Sequence, residues 1–346
     1  MNKSVFAVLW AGTLVVVGVL GWRMTAADVS FAEPSVAAST ASAASPAVAR
    51  AYVPGPIQPL PLAMDVDARK VSLGEQLFHD GRLSSDGRIS CSSCHDLSLG
   101  GADGRRVSVG VGGAKGKVNA PTVLNCTFNF RQFWDGRARS LAEQVDGPIH
   151  NPLEMDSDWE SILRSLGADT SYARSFDAIY DDGITPANVR DAIVEFERSL
   201  ITPNSRFDRF LLGESGVLNE LEQKGWDLFV DVGCVTCHQG VNIGGNMFQT
   251  LGRVVPYFEG REVRPQDLGR FNVTGRDEDR HAFKVPSLRN VALTAPYMHD
   301  GGVSSLAEMV QTMARFELGA ELEADEVTAI VAFLHTLTGD QPGGGR

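Results

Sequence analysis

The sequence predicts a mainly α protein made of two tandem copies of one helical unit. Three observations carry that prediction. A short helical signature occurs twice, as LGEQLF at 73–78 and KGWDLF at 224–229. A longer one also occurs twice: DAIVEFERSL at 191–200 and TAIVAFLHTL at 328–337 align without gaps and share A-I-V-x-F-x-x-x-L. The regular alternation of strands and helices that marks an α/β chain is absent.

The elements follow in chain order. Residues 5–22, VFAVLWAGTLVVVGVLGW, are uncharged and mostly apolar between Lys3 and Arg23. Eighteen residues stand at the lower limit of a spanning helix and slightly beyond a signal core. Ser30-Phe31-Ala32 offers small residues for cleavage. Residues 1–32 therefore read as a signal peptide or a membrane anchor, and either exports the rest. Residues 33–66 read as a linker that tethers the body; its first part, 33–50, is Ala/Ser/Pro-rich and has no means of building a core. The first unit is assigned to 67–203 and the second to 204–340. Thr185-Pro186 predicts the start of the earlier closing helix and Gly339 the end of the later one. Ile193, Phe196 and Leu200 fall at helical spacing, as do Ile330, Phe333 and Leu337.

The 346 residues suffice for two domains with their own cores, and an apolar fraction of 43% suits a soluble globular chain. A net charge of −12 argues against nucleic acid as a partner. Four of the five cysteines fall in two C-x-x-C-H motifs, Cys91-Ser-Ser-Cys94-His95 and Cys234-Val-Thr-Cys237-His238. In this motif both thiols form thioethers to haem vinyls and the histidine becomes the proximal iron ligand. A four-thiolate zinc site cannot be built at either motif, because Cys126 is the only other cysteine. Each unit thus predicts one covalent haem c in the layout of a c-type cytochrome, and Cys126 is expected as a buried apolar thiol.

A low-spin electron carrier needs a sixth ligand. After His238 the candidates are Met298, Met309 and Met313. After His95, residues 105–123 offer no histidine, methionine, tyrosine or cysteine; His150 is the first histidine beyond them and Met155 the first methionine.

From about residue 70 to 340 the chain resembles the bacterial di-haem cytochrome c peroxidase family, to which the di-haem enzyme that matures methylamine dehydrogenase is related. The resemblance rests on RLSSDGRISCSSCHDLSLGG, NAPTVLN, FWDGRA, GPIHNPLEM, GCVTCHQG and PSLRNVALTAPYMHDG, in that order. It implies a periplasmic enzyme whose first haem reacts with hydrogen peroxide. The second haem, of higher potential, takes electrons from a small cytochrome c or cupredoxin. By position it makes His95 the peroxidatic proximal ligand and His238 with Met313 the ligands of the electron-transfer haem. Trp134 lies between the haems, Gln144 and Glu154 match the distal pocket, and Asn119, Thr294 and Pro296 match an inter-domain calcium site. His299 is expected near the inter-domain haem edge, while His79, His281 and His335 carry no assigned role. The family's displaceable distal histidine falls at Val111. The first haem is therefore expected to be five-coordinate or water-bound at rest, with His150 the alternative sixth ligand, and to react without reductive activation. Two other readings stand beside the peroxidase: a protein-modifying di-haem oxidase, and a plain electron-transfer protein, against which the open iron at Val111 speaks. Monomer and homodimer are both open.

Overall fold

The computed structural model describes residues 55–342. The segment 5–22 and the greater part of the predicted linker lie outside them. No helix among the described residues is long and apolar enough to cross a membrane.

The described chain is mainly helical. The first half runs α1 (Ala68–Phe78), α2 (Leu141–His150), α3 (Trp159–Gly167), α4 (Thr170–Asp177) and α5 (Pro186–Ser199); the second runs α6 (Arg206–Leu211), α7 (Glu220–Asp231), β1 (Phe248–Thr250), α8 (Phe271–Thr274), β2 (Ala282–Lys284), α9 (Leu306–Met313) and α10 (Ala324–His335). The two three-residue strands pair antiparallel. Most helices open on a side-chain cap: Asp67, Asp158 and Asp169 accept first-turn N–H groups, and Thr185 does so with Pro186 at the first helical position, as expected.

The repeated signatures pack on each other. Gly74 of α1 meets α5 so closely that a Cβ there would lie 1.9 Å from the Ala192 carbonyl oxygen. Gly225 of α7 meets α10 in the same way, 1.9 Å from that of Ala329. The glycine is thus the contact that lets each opening helix cross its closing helix. Apolar faces then collect into separate cores, one with Leu77, Ile149, Ile162, Phe176 and Ile193, the other with Phe207, Phe229, Ile330, Phe333 and Leu337. Burial of such side chains contributes roughly 1.5–3 kcal/mol each relative to exposure.

Two expectations are corrected. The later closing helix ends at His335, ahead of Gly339, because the Thr336 N–H already closes the last turn on the Phe333 and Leu334 carbonyls. Gly339 instead passes against Thr202, where a Cβ would lie 2.0 Å from the carbonyl oxygen. The end of the linker is also not free chain. Ile57 and Leu60 are 2% and 4% exposed. Ile57 bridges Gly240, and Arg289 ties the segment down by donating to the Gln58 carbonyl while pairing with buried Asp208 at 2.6 Å. Two apolar side chains among prolines suffice to dock it, and Asp208 also accepts the Leu60 N–H.

A second internal register, offset by 165 residues, joins Asn119–Pro148 to Lys284–Met313. Asn125 and Asn290 both adopt left-handed backbone (φ 61° and 58°) and each opens a 3-10 turn. Both donate Nδ2–H to the single Thr202 hydroxyl oxygen, at 2.8 Å each. Phe133 and Met298 share positive φ, and the bridges Gln132–Ala138 and Tyr297–Val303 coincide. Ser140 and Ser305 then cap α2 and α9 alike, accepting the N–H of Glu143 and of Glu308. The halves also clasp each other reciprocally: Asn119 N–H donates to the His299 carbonyl (2.9 Å) and Lys284 N–H to that of Trp134 (2.8 Å).

Candidate haem sites

Both C-x-x-C-H motifs form the same tight turn. Cys91–Ser93 and Cys234–Thr236 are 3-10 helices, and each motif histidine N–H bonds back to the first cysteine's carbonyl. The His95 Nδ1 lies 3.3 Å from the Gly101 carbonyl oxygen, and His238 Nδ1 lies 3.4 Å from that of Ile243. Burial holds both rings neutral, lowering the pKa of His95 and taking His238 down to about 4. A neutral imidazole directing Nδ1–H at a carbonyl leaves Nε2 free for a metal, the usual arrangement of a proximal ligand.

Around His238 this geometry opens onto a large, mostly apolar cavity, bordered by Cys234, Cys237, Met298, Met309 and Met313. The chemistry of this lining fits a haem: two thiols, one free imidazole nitrogen, thioethers and aliphatic walls. Around His95 the fit is seen differently. Asp103, Ser108 and Glu197 each keep a buried side-chain oxygen without a partner among the described residues. Orphaned polar atoms of this kind mark a missing bonding partner.

The residues expected on the distal side of the first site lie on α2 and in the turn after it. Gln144 is half-buried on α2. Burial raises the pKa of Glu154, against the opposing pull of an Asn151 Nδ2–H donated to Oε1 at 2.6 Å and of the Arg137 charge. Val111 is fastened beside it, its N–H donating to the Glu154 carbonyl at 2.8 Å. Gly110 allows that approach, since a Cβ there would fall 2.2 Å from the Leu153 carbonyl oxygen. His150 is exposed, with Nδ1 3.0 Å from the Ser157 carbonyl oxygen and its ring edge-on to Trp159. In the 165-residue register, Gln144 and Pro148 of α2 occupy the places of Met309 and Met313 on α9.

Trp134 borders the His238 cavity, with Nε1–H donated to the Asn119 carbonyl at 2.9 Å. It meets the buried His299 ring edge-on at 6.5 Å. His299 bonds Asp267 through Nε2 at 2.7 Å and stacks on Phe283. Burial works to raise the Asp267 pKa, but hydrogen bonds from Arg264 and His299 hold it at about 2. Asn119, Thr294 and Pro296 all border the same cavity. The Asn119 Nδ2–H donates to the Arg105 carbonyl, which turns Oδ1 away from any donor among the described residues. Cys126 is buried, as expected, and burial raises its thiol pKa. His79 and His335 are exposed; His281 stacks on Phe258 and holds the Asp267 carbonyl at 2.7 Å.

Sequence reasoning missed Asn151, Asp267, Lys284 and Glu197 as parts of these sites. The signal for Lys284 was the match of KVPSLRN to NAPTVLN, which places it opposite Asn119. Glu197 carried one too, as a charged residue where the paired closing helix has the large apolar Leu334.

Comparison with known proteins agrees with this geometry. Residues 68–216 match the family model described as di-haem cytochrome c peroxidase. The chain is 46% identical to cytochrome c551 peroxidase of Nitrosomonas europaea, over 83% of this chain and 85% of that one. It is 49% identical to cytochrome c peroxidase Ccp of Escherichia coli over 82% of this chain, but spans only 61% of that protein's length. Identity to the methylamine utilization protein MauG of Methylorubrum extorquens is 34%, over 81% of each chain. Among solved structures, a MauG-like protein associated with microbial copper homeostasis superposes with a TM-score of 0.72 at 31% identity, over 83% of this chain and 94% of that one.

Proposed function

The chain belongs to the di-haem cytochrome c peroxidase family, and from that premise we propose that it reduces hydrogen peroxide to water with electrons from a small periplasmic cytochrome c or cupredoxin. Two cytochrome c-like domains, 67–203 and 204–340, each hold one haem c, through Cys91, Cys94 and His95 and through Cys234, Cys237 and His238. Met313, which borders the same cavity as His238, would hold the iron of the second together with it. The haems supply the iron chemistry that breaks the O–O bond and passes electrons singly.

The residues of the chain do the rest. Glu154 takes the proton from the attacking peroxide oxygen and delivers it to the departing one, so that water leaves in place of hydroxide. A pKa raised by burial suits both halves of that task. Asn151 fixes the carboxylate's direction, and Gln144 orients peroxide from α2. Trp134, at the border of the His238 cavity, would supply an aromatic ring between the two haems. Two electrons and two protons then convert each H2O2 to two H2O. Calcium at Asn119 Oδ1 and the Thr294 and Pro296 carbonyls, completed by water, would fix the inter-domain loops; hard oxygen ligands suit it.

One observation carries the reading of the first haem as ready to react. In the shared register the first half has Gln144 and Pro148 where the second has Met309 and Met313, and the loop that elsewhere in the family brings a histidine brings Val111. On these two elements the one histidine or methionine that could close the iron's distal face is His150, the last residue of α2. His150, exposed and held on Ser157, is poorly placed to do so.

The test begins with the untreated di-ferric protein. One high-spin and one low-spin haem are expected; two low-spin haems refute the open site. Hydrogen peroxide followed by reduced cytochrome c then distinguishes the readings. Rapid donor oxidation is the peroxidase outcome. A persistent oxidised spectrum indifferent to cytochrome c is that of a protein-modifying oxidase, the reading favoured by Val111 alone. No reaction identifies an electron relay.

A further inference from the structure

Lys284 is the only lysine or arginine that borders the His238 cavity among the described residues. It stands at the end of β2, where its backbone N–H is fixed on the Trp134 carbonyl and its Cα pairs with Phe248 of β1. The side chain is 6% exposed, and its ammonium makes no hydrogen bond or ion pair among the described residues. An isolated buried ammonium costs several kcal/mol unless an anion faces it. Burial accordingly takes its pKa down to about 8.

The cavity's own acids do not supply that anion. Glu317 is engaged with the Gly252 N–H at 2.6 Å, and burial raises its pKa toward the neutral form. Asp267, behind His299, is satisfied by Arg264 and His299. Glu197 shows no bond to Lys284 and is itself raised by burial to about 8. The titratable group set against the ammonium is the Cys126 thiol, which burial keeps protonated; the anion would therefore arrive with whatever fills the cavity, and a haem brings two carboxylates.

We propose that Lys284 is the counter-ion of a propionate on the haem in the His238 cavity, and that this ammonium helps set the potential of that haem above that of its neighbour. The inference rests on the reading that a haem occupies this cavity. A fixed positive charge favours the reduced iron, which carries one positive charge fewer. The matching position in the first half is Asn119, a neutral amide. Asn119 borders this same cavity, so the repeated pair sets one ammonium and one amide at a single site.

Lys284→Met and Lys284→Arg holoenzymes test this by haem quantitation and redox titration. Lys284→Met should retain two haems while the reduction equilibrium constant of the second falls about tenfold, a drop of about 59 mV for a one-electron couple. Its midpoint should also become more pH-dependent, as the unpaired carboxylate takes up a proton. Lys284→Arg should stay near the wild-type value. Loss of the second haem from Lys284→Met but not from Lys284→Arg also supports the pairing. A wild-type midpoint in Lys284→Met, or loss of that haem from both variants, overturns it. A wild-type protein with a single haem would instead remove the underlying reading, and haem quantitation detects that before any variant is made.

Discussion

The two halves share a scaffold and differ where chemistry is decided. Each crosses its opening and closing helices at a glycine, sets a C-x-x-C-H turn, aims the motif histidine's Nδ1 at a carbonyl, and caps α2 or α9 with a serine. The departures are few: Gln144 and Pro148 against Met309 and Met313, Asn119 against Lys284, Trp134 against His299, and Glu197 against Leu334. On a shared frame, Gln144 and Pro148 stand on α2 where Met309 and Met313 stand on α9.

The largest effect is expected where the comparison has no counterpart. Glu154→Gln should lower peroxide turnover by about 10²–10⁴-fold and leave both haem spectra in place; unchanged turnover would take Glu154 out of the mechanism. In the wild type, activity requires the ionised carboxylate to accept the first proton. Because burial raises its pKa, the acid limb of the pH–rate profile should lie above the ordinary glutamate range of about 4.3, and a limb at or below that range would contradict the assigned role.

The next change makes the halves alike. Pro148→Met places a thioether on α2 where α9 carries Met313. Ferric haem in the first half should shift toward a low-spin spectrum, with turnover falling about tenfold, or ~1.4 kcal/mol in the barrier. An unaltered high-spin signal in a folded variant would show that α2 and α9 do not face their haems alike.

The smallest effect concerns stability. Burial raises the folded-state pKa of Glu197 from 4.5 to about 8. Between those values the folded state holds a proton that the unfolded chain releases, so stability falls as pH rises, by at most about 1.4 kcal/mol per pH unit. Glu197→Leu, which copies Leu334, should flatten this fall in denaturant titrations from pH 5 to 8. An identical slope in the variant would mean that Glu197 ionises normally.

Much of this arrangement was legible in the sequence because its causes are local. The thioether motif needs its residues at fixed spacing, and a helix that buries one face must repeat its apolar positions. Val111 was read as an absence, from a loop, 105–123, that has no histidine, methionine, tyrosine or cysteine. What escaped was set by contacts distant in sequence. Ile57 and Leu60 look like linker until Arg289 and Asp208, far along the chain, provide something to dock on. Asp267 is one of many acids in a charged stretch until the fold lays it against His299. The 165-residue register was present in the letters but weak there, with Asn and Lys, Trp and His, or Pro and Met at matching positions. Shared backbone conformation, with left-handed Asn125 and Asn290, reveals it where side-chain identity does not.

The crossed backbone bonds, Asn119 to His299 and Lys284 to Trp134, have a last consequence. Each half holds the other's bridging residue by its main chain, so a slip of either body must stretch both bonds together. The spacing of Trp134 and His299 is thereby set by peptide groups, which mutation of side chains leaves intact.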